Sequence, residues 1–184
     1  MNKLVMLIVV GLLTVGAGRV AWAEMVLVTV TGAVENSNRG ARDDFHDALF
    51  TAHEIPFDKA RTFTRLDLAA LGQSDVTVTY DVWPRPAVVR GPRLSAILKA
   101  VGAPRAGTVT VQALDGYSFT LPIDLVNSSP DMILAVEADG QPLSIGGRGP
   151  AWLVFPPGLL PDQIDDSGLV WAVFHLRVDT TPGR

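Results

Sequence analysis

In the stretch DVWPRPAVVRGP, residues 81–92, Trp83 stands among three prolines and two arginines, Arg85 and Arg90. An indole ring with guanidinium groups on a stiffened turn suits a flat, polar ligand. The ring stacks on the ligand's face and the cations meet its edge. Pro84 and Pro86 withhold ladder donors, so a strand must end here and leave Trp83 at its tip. Trp83 is then either a cleft wall or a core filler, a role for which Trp152 and Trp171 also compete. A second candidate is SIGGRGP, residues 144–150, whose glycines let backbone N–H groups approach a ligand, with Arg148 at the tip. It follows a hairpin rather than opening a helix, which argues against a dinucleotide fingerprint and leaves a plain tight connection as the alternative. His46, His53 and His175 show no metal-ligand spacing and read as surface or packing residues. The chain has no cysteine, so it offers neither a thiolate nor a disulfide.

These residues depend on the elements around them. EMVLVTVTG reads as a strand ending at Gly32, and residues 43–55 as a weak helix with Phe45, Leu49 and Ala52 on one side. TRLDLAALG is a firmer helix, with Thr64 and Asp67 spaced as a capping box and Gly72 as its stop. DVTVTY is a strand that delivers the chain into the Trp83 turn. Pro92 then opens a helix whose Leu94, Ile97, Leu98 and Val101 share a face. Everything downstream reads as strands and turns, with hairpins at Asp115-Gly116 and Asp139-Gly140. In the last strand, residues 169–178, Val170, Ala172, Phe174, Leu176 and Val178 face one way, and Trp171, Val173, His175 and Arg177 the other. The expected class is α+β, a single domain of mostly antiparallel or mixed sheet with a few short helices.

The first 23 residues have the parts of a secretory signal: Lys3, an apolar run from Leu4 to Val15, and Ala21-Trp22-Ala23 before Glu24. A run of about 12 apolar residues is too short to span a bilayer. The expectation is export to the periplasm, with residues 24–184 as the mature domain. Dropping Lys3 and Arg19 from the 15 basic residues leaves 13 against 19 acidic ones, a net charge of −6. An acidic exported domain is a poor partner for nucleic acid or an anionic membrane surface.

The order VVRGPRLSAILKAVGA, VTVQALDGYSFTLPIDLV, ILAVEADGQPLSIGGRGPAWLVFP and VWAVFHLRV resembles the sulfite-oxidase-type (SUOX-fold) molybdopterin-binding domain family over roughly residues 75–178. Catalytic members carry a molybdenum-ligating cysteine between the strand and the GxxL helix, where this chain has TYDVWPRPAVVRG. The lysine that helps hold the cofactor's phosphate end is Val170 here, and DDSGL supplies acid where the enzymes supply arginine. The chain is similar to the small, exported, stand-alone branch of the family, some members of which bind pterins without metal and regulate a membrane-bound enzyme of cyclic-di-GMP metabolism. The resemblance thus implies a metal-free pterin held by Trp83, Arg85 and Arg90, with Tyr117, Arg148 and Gly149 opposite, and the periplasmic domain of a membrane receptor as partner. Two other readings stay open: a molybdopterin-dependent oxidoreductase or a subunit of one, and an interaction domain that has lost its ligand.

Overall fold

The computed structural model describes residues 24–160 and 165–180; the leader expected over residues 1–23 lies outside them. The chain runs β1 (Val26–Gly32), α1 (Ala48–Ala52), β2 (Arg61–Thr64), α2 (Arg65–Ala70), β3 (Ser74–Val78), β4 (Ala87–Gly91) and α3 (Leu94–Ala100). It continues through β5 (Thr108–Ala113), β6 (Ser118–Pro122), α4 (Ile123–Ser128), β7 (Ile133–Ala135), β8 (Glu137–Ala138), β9 (Gln141–Pro142), β10 (Trp152–Val154) and β11 (Val173–Asp179). A five-stranded sheet has the order β2-β1-β11-β5-β6, a four-stranded sheet the order β3-β4-β8-β9, and β7 pairs with β10. Only β1 and β11 pair in parallel; the other pairs are antiparallel. The expected α+β single domain of mixed sheet and short helices is what the chain forms. No helix among the described residues is long and apolar enough to cross a membrane.

A single apolar cluster joins the sheets and helices. Val28 and Val30 of β1, Val109 and Val111 of β5, and Leu176 and Val178 of β11 meet Leu94, Ile97 and Leu98 of α3 and the Met132–Val136 segment. Each such side chain, fully buried, contributes roughly 1.5–3 kcal/mol, the force a chain without disulfides must rely on. Thr64 accepts from the Asp67 N–H, and the Asp67 carboxylate accepts from the Thr64 N–H, so the expected capping box forms at α2. Both expected hairpins form, β5–β6 around Asp115-Gly116 and β8–β9 around Asp139-Gly140.

Several expectations are corrected. Residues 123–128 form the helix α4, not a strand or turn, burying Ile123 and Val126 one turn apart. Residues 132–138, which lead into the Asp139-Gly140 hairpin, do not form one strand but divide between two sheets as β7 and β8. The helix expected over residues 43–55 shrinks to α1, and its buried residue is Phe50; Phe45 is 85 % exposed. The last strand starts only at Val173, after Ala172 adopts a positive φ of 52°. Its pairing with β5 then slips between Val173 and His175. That irregularity breaks the expected alternation: Val173 joins Leu176 and Val178 in the main core, while Phe174 packs with Phe50 and Ile55 in a separate cluster. His175 is buried and satisfied, its Nε2 2.8 Å from Thr31 Oγ1 and its Nδ1 3.2 Å from Gln112 Oε1.

Candidate functional site

Three segments converge beside the turn of the β5–β6 hairpin. The first is that turn itself, where Asp115 Oδ1 accepts from the Tyr117 N–H at 3.0 Å and leaves the Tyr117 ring 46 % exposed. The second is the loop 144–150. Gly147 and Gly149 both donate to the Ser144 carbonyl, folding the loop back on itself. A Cβ on Gly149 would stand 2.6 Å from Leu143 C and Ser144 N, so only glycine lets the loop close this tightly. The third is residues 165–172, where the Ala172 N–H donates to the Arg148 carbonyl at 3.0 Å and ties the loop to the start of the last strand.

Arg148 lies at the centre. Its guanidinium carbon is 4.4 Å from the Trp152 ring centroid, 5.1 Å from Trp171 and 5.6 Å from Trp83, all within cation–π range. Among the described residues, its N–H groups have no hydrogen-bond acceptor and its charge no carboxylate partner, so the rings fix the fork while leaving its donors free. Trp83 supports it from behind. Its ring packs on Tyr80 and Trp152, at 5.2 and 5.5 Å between centroids, and its Nε1–H donates to Asp166 Oδ2 at 2.8 Å.

These groups border a cavity of about 380 Å³, whose walls include Asp115, Tyr117, Arg148, Asp166 and Trp171. That volume falls at the small end of the range for small-molecule sites, roughly 300–1,000 Å³. Two aromatic faces, one uncommitted guanidinium and two carboxylates suit a flat ligand that has acceptors on one edge and N–H donors on another. Nearby, the Asp165 carboxyl is held below its ordinary range by the hydrogen bond from the Ser167 backbone N–H.

The residues expected to bind fall into two groups. Tyr117 and Arg148 line the cavity, Gly149 shapes the loop that carries Arg148, and Trp83 backs Arg148 without lining the cavity. Arg85 and Arg90 do not join them. Arg85 Nη2 pairs with Asp139 Oδ2 at 2.6 Å, and Asp139 Oδ1 accepts from the Val88 N–H, which ties the proline-rich turn to the β8–β9 hairpin. This pairing holds the Asp139 carboxyl below its ordinary range and raises Arg85. The stretch read as a stiff turn up to Pro92 is a strand from Ala87, so alternation sends Val89 inward and Arg90 outward, 3.7 Å from Asp75 on β3. Sequence reasoning missed Asp115, Asp166, Trp152 and Trp171. Two tryptophans without an assigned partner and the acidic DDSGL were the available signals.

The family described as oxidoreductase molybdopterin binding domain matches residues 27–159. No protein of curated function matches the sequence. Among solved structures, the sulfane dehydrogenase SoxCD from Paracoccus pantotrophus superposes with a TM-score of 0.56 at 17 % identity, over 85 % of this chain and 38 % of that one. The likeness is one of fold, and this chain spans well under half the length of that protein.

Proposed function

The chain belongs to the oxidoreductase molybdopterin binding domain family, and on that premise we propose that it binds a pterin-type heterocycle without metal, in the cavity beside Arg148. The family implies a pterin-type cofactor, and the observation that carries the finer reading is the Arg148 guanidinium, fixed by three indole rings yet without an acceptor among the described residues. Tyr117 and Trp171 supply faces for the rings of such a ligand. Asp115 and Asp166 supply acceptors for its amino and ring N–H groups.

The same residues do not fit the two ends of a complete molybdenum cofactor. No cysteine exists to ligate the metal, and among the described residues no group of three His, Cys, Asp or Glu side chains could hold one. Among the described residues Arg148 is the only basic side chain in the cavity wall, facing two carboxylates, and Val170 is buried, so a phosphate would meet more negative than positive charge there. A bare pterin avoids both mismatches.

The loss of the metal ligand favours a sensor over an enzyme. With the signal-like leader, it supports an exported protein that reports pterin occupancy to the periplasmic domain of a membrane receptor in cyclic-di-GMP metabolism. The family's own description favours a second reading, a molybdopterin-dependent oxidoreductase or a subunit of one. Elemental analysis and mass spectrometry of protein purified from a molybdenum-replete host decide between them. A co-purifying pterin without molybdenum is expected; about one molybdenum per chain would establish the second reading instead.

A further inference from the structure

At the opposite end of the β5–β6 hairpin, roughly 20 Å from the cavity at about 3.3 Å per strand residue, a groove of about 550 Å³ runs between α3 and α4. Arg93, Lys99 and Arg105 line it together with Asn127, and among the described residues no carboxylate does. All three cations are exposed, and among the described residues none has an acidic partner within ion-pair distance. In a chain of net charge −4, whose other cations include five arginines paired with aspartates, such a cluster is a local reversal of sign. The floor is apolar: Leu98 and Ile123 are 2 % and 1 % exposed, and Ala96 and Ala103 add small side chains that leave room above them.

We propose that this groove docks an acidic segment of a protein partner, with carboxylates on the three cations and an apolar side chain over Ala96 and Ala103. Charge complementarity selects an anionic occupant. The apolar surface of Ala96, Ala103 and Pro104 selects a peptide over a bare anion, because a phosphate would use the cations and leave these partly exposed groups uncovered. The acidic remainder of the surface repels nucleic acid. Docking here leaves the Arg148 cavity open, so this inference stands or falls independently of the pterin reading.

The test is fluorescence anisotropy of a labelled peptide of repeated Glu-Glu-Leu against the full chain, compared with the combined variant Arg93→Glu, Lys99→Glu, Arg105→Glu. Binding to the unaltered protein is expected, weakening as salt rises from about 50 to 300 mM and the Debye length shortens. In the variant it should fall by roughly 30-fold or more, about threefold for each exposed pair. The three side chains are exposed, so the variant should melt with the unaltered protein. Pterin titration of the same variant reports on the cavity separately. Equal binding by both proteins, equal binding of a Lys-Lys-Leu peptide, or displacement of the peptide by inorganic phosphate at equal concentration would each overturn the proposal.

Discussion

Tyr117 offers the cleanest separation of binding from folding, because its ring stands 46 % exposed at a hairpin turn and lines the cavity. Replacing it with Ala should remove a stacking contribution on the order of 1–3 kcal/mol, or about five- to 150-fold in affinity, with the melting temperature nearly unchanged. Trp83 behaves differently. It packs against the core, Tyr80 and Trp152, and donates to Asp166, so Trp83→Ala should move both observables. A loss of roughly 2–3 kcal/mol in denaturant unfolding is expected, less than for a fully buried tryptophan. Affinity should fall as well, because Arg148 loses one of its three supports. His175 makes a prediction about pH. Burial, then the charges of Arg177 and His53, lower its pKa to about 4, below the ordinary value of 6.5. Between those values the unfolded chain binds a proton that the native protein refuses, so stability falls as pH drops from 6.5 towards 4 and the loss levels off below. The full effect is on the order of 3 kcal/mol. Chemical denaturation at pH 7 and pH 4.5 should show a smaller decline in His175→Gln than in the unaltered protein.

The loop 144–150 carries Arg148 to the cavity, and its closure depends on Gly149. A methyl group there meets backbone atoms of Leu143 and Ser144 that have no flexible side chain to move aside. Gly149→Ala should therefore lower the melting temperature and weaken pterin binding together, whereas Gly140→Ala, with open space around it but a positive φ, should lower stability alone. Most of these elements were legible in the sequence. The period-two strands, the capping box at Thr64 and both Asp-Gly hairpins follow from local chemistry and formed as expected. The misses share a different cause. α4 spans only six residues and has too few apolar positions to display a helical period, and the slip in β11 comes just after Ala172, whose positive φ beside Arg148 no local pattern signals. The residues of the candidate site were legible by type but not by address. Trp83, Tyr117, Arg148 and Gly149 converge, whereas the arginines nearest Trp83 in sequence are carried off by strand alternation and by Asp139. Asp166 entered through a contact 83 residues distant, which no local pattern records.

Across the whole molecule, the chain keeps the family's fold around the cavity beside Arg148. The mixed sheets and the α3 scaffold of the family are present, the chain has no thiolate to offer a metal, and carboxylates stand in the wall of the cavity. Among the described residues the one cation in the cavity wall, Arg148, is held by aromatic rings rather than by an ion pair. The most direct measurement is a titration of molybdenum-free protein with an oxidised pterin, followed by tryptophan fluorescence and calorimetry, beside the same titration of Arg148→Ala. Saturable binding of one pterin per chain is predicted, with quenching from Trp171 beside the ligand and affinity at least tenfold weaker in the variant, as expected for loss of charge-assisted hydrogen bonds. No binding by the metal-free protein, or equal binding by Arg148→Ala, would contradict the account.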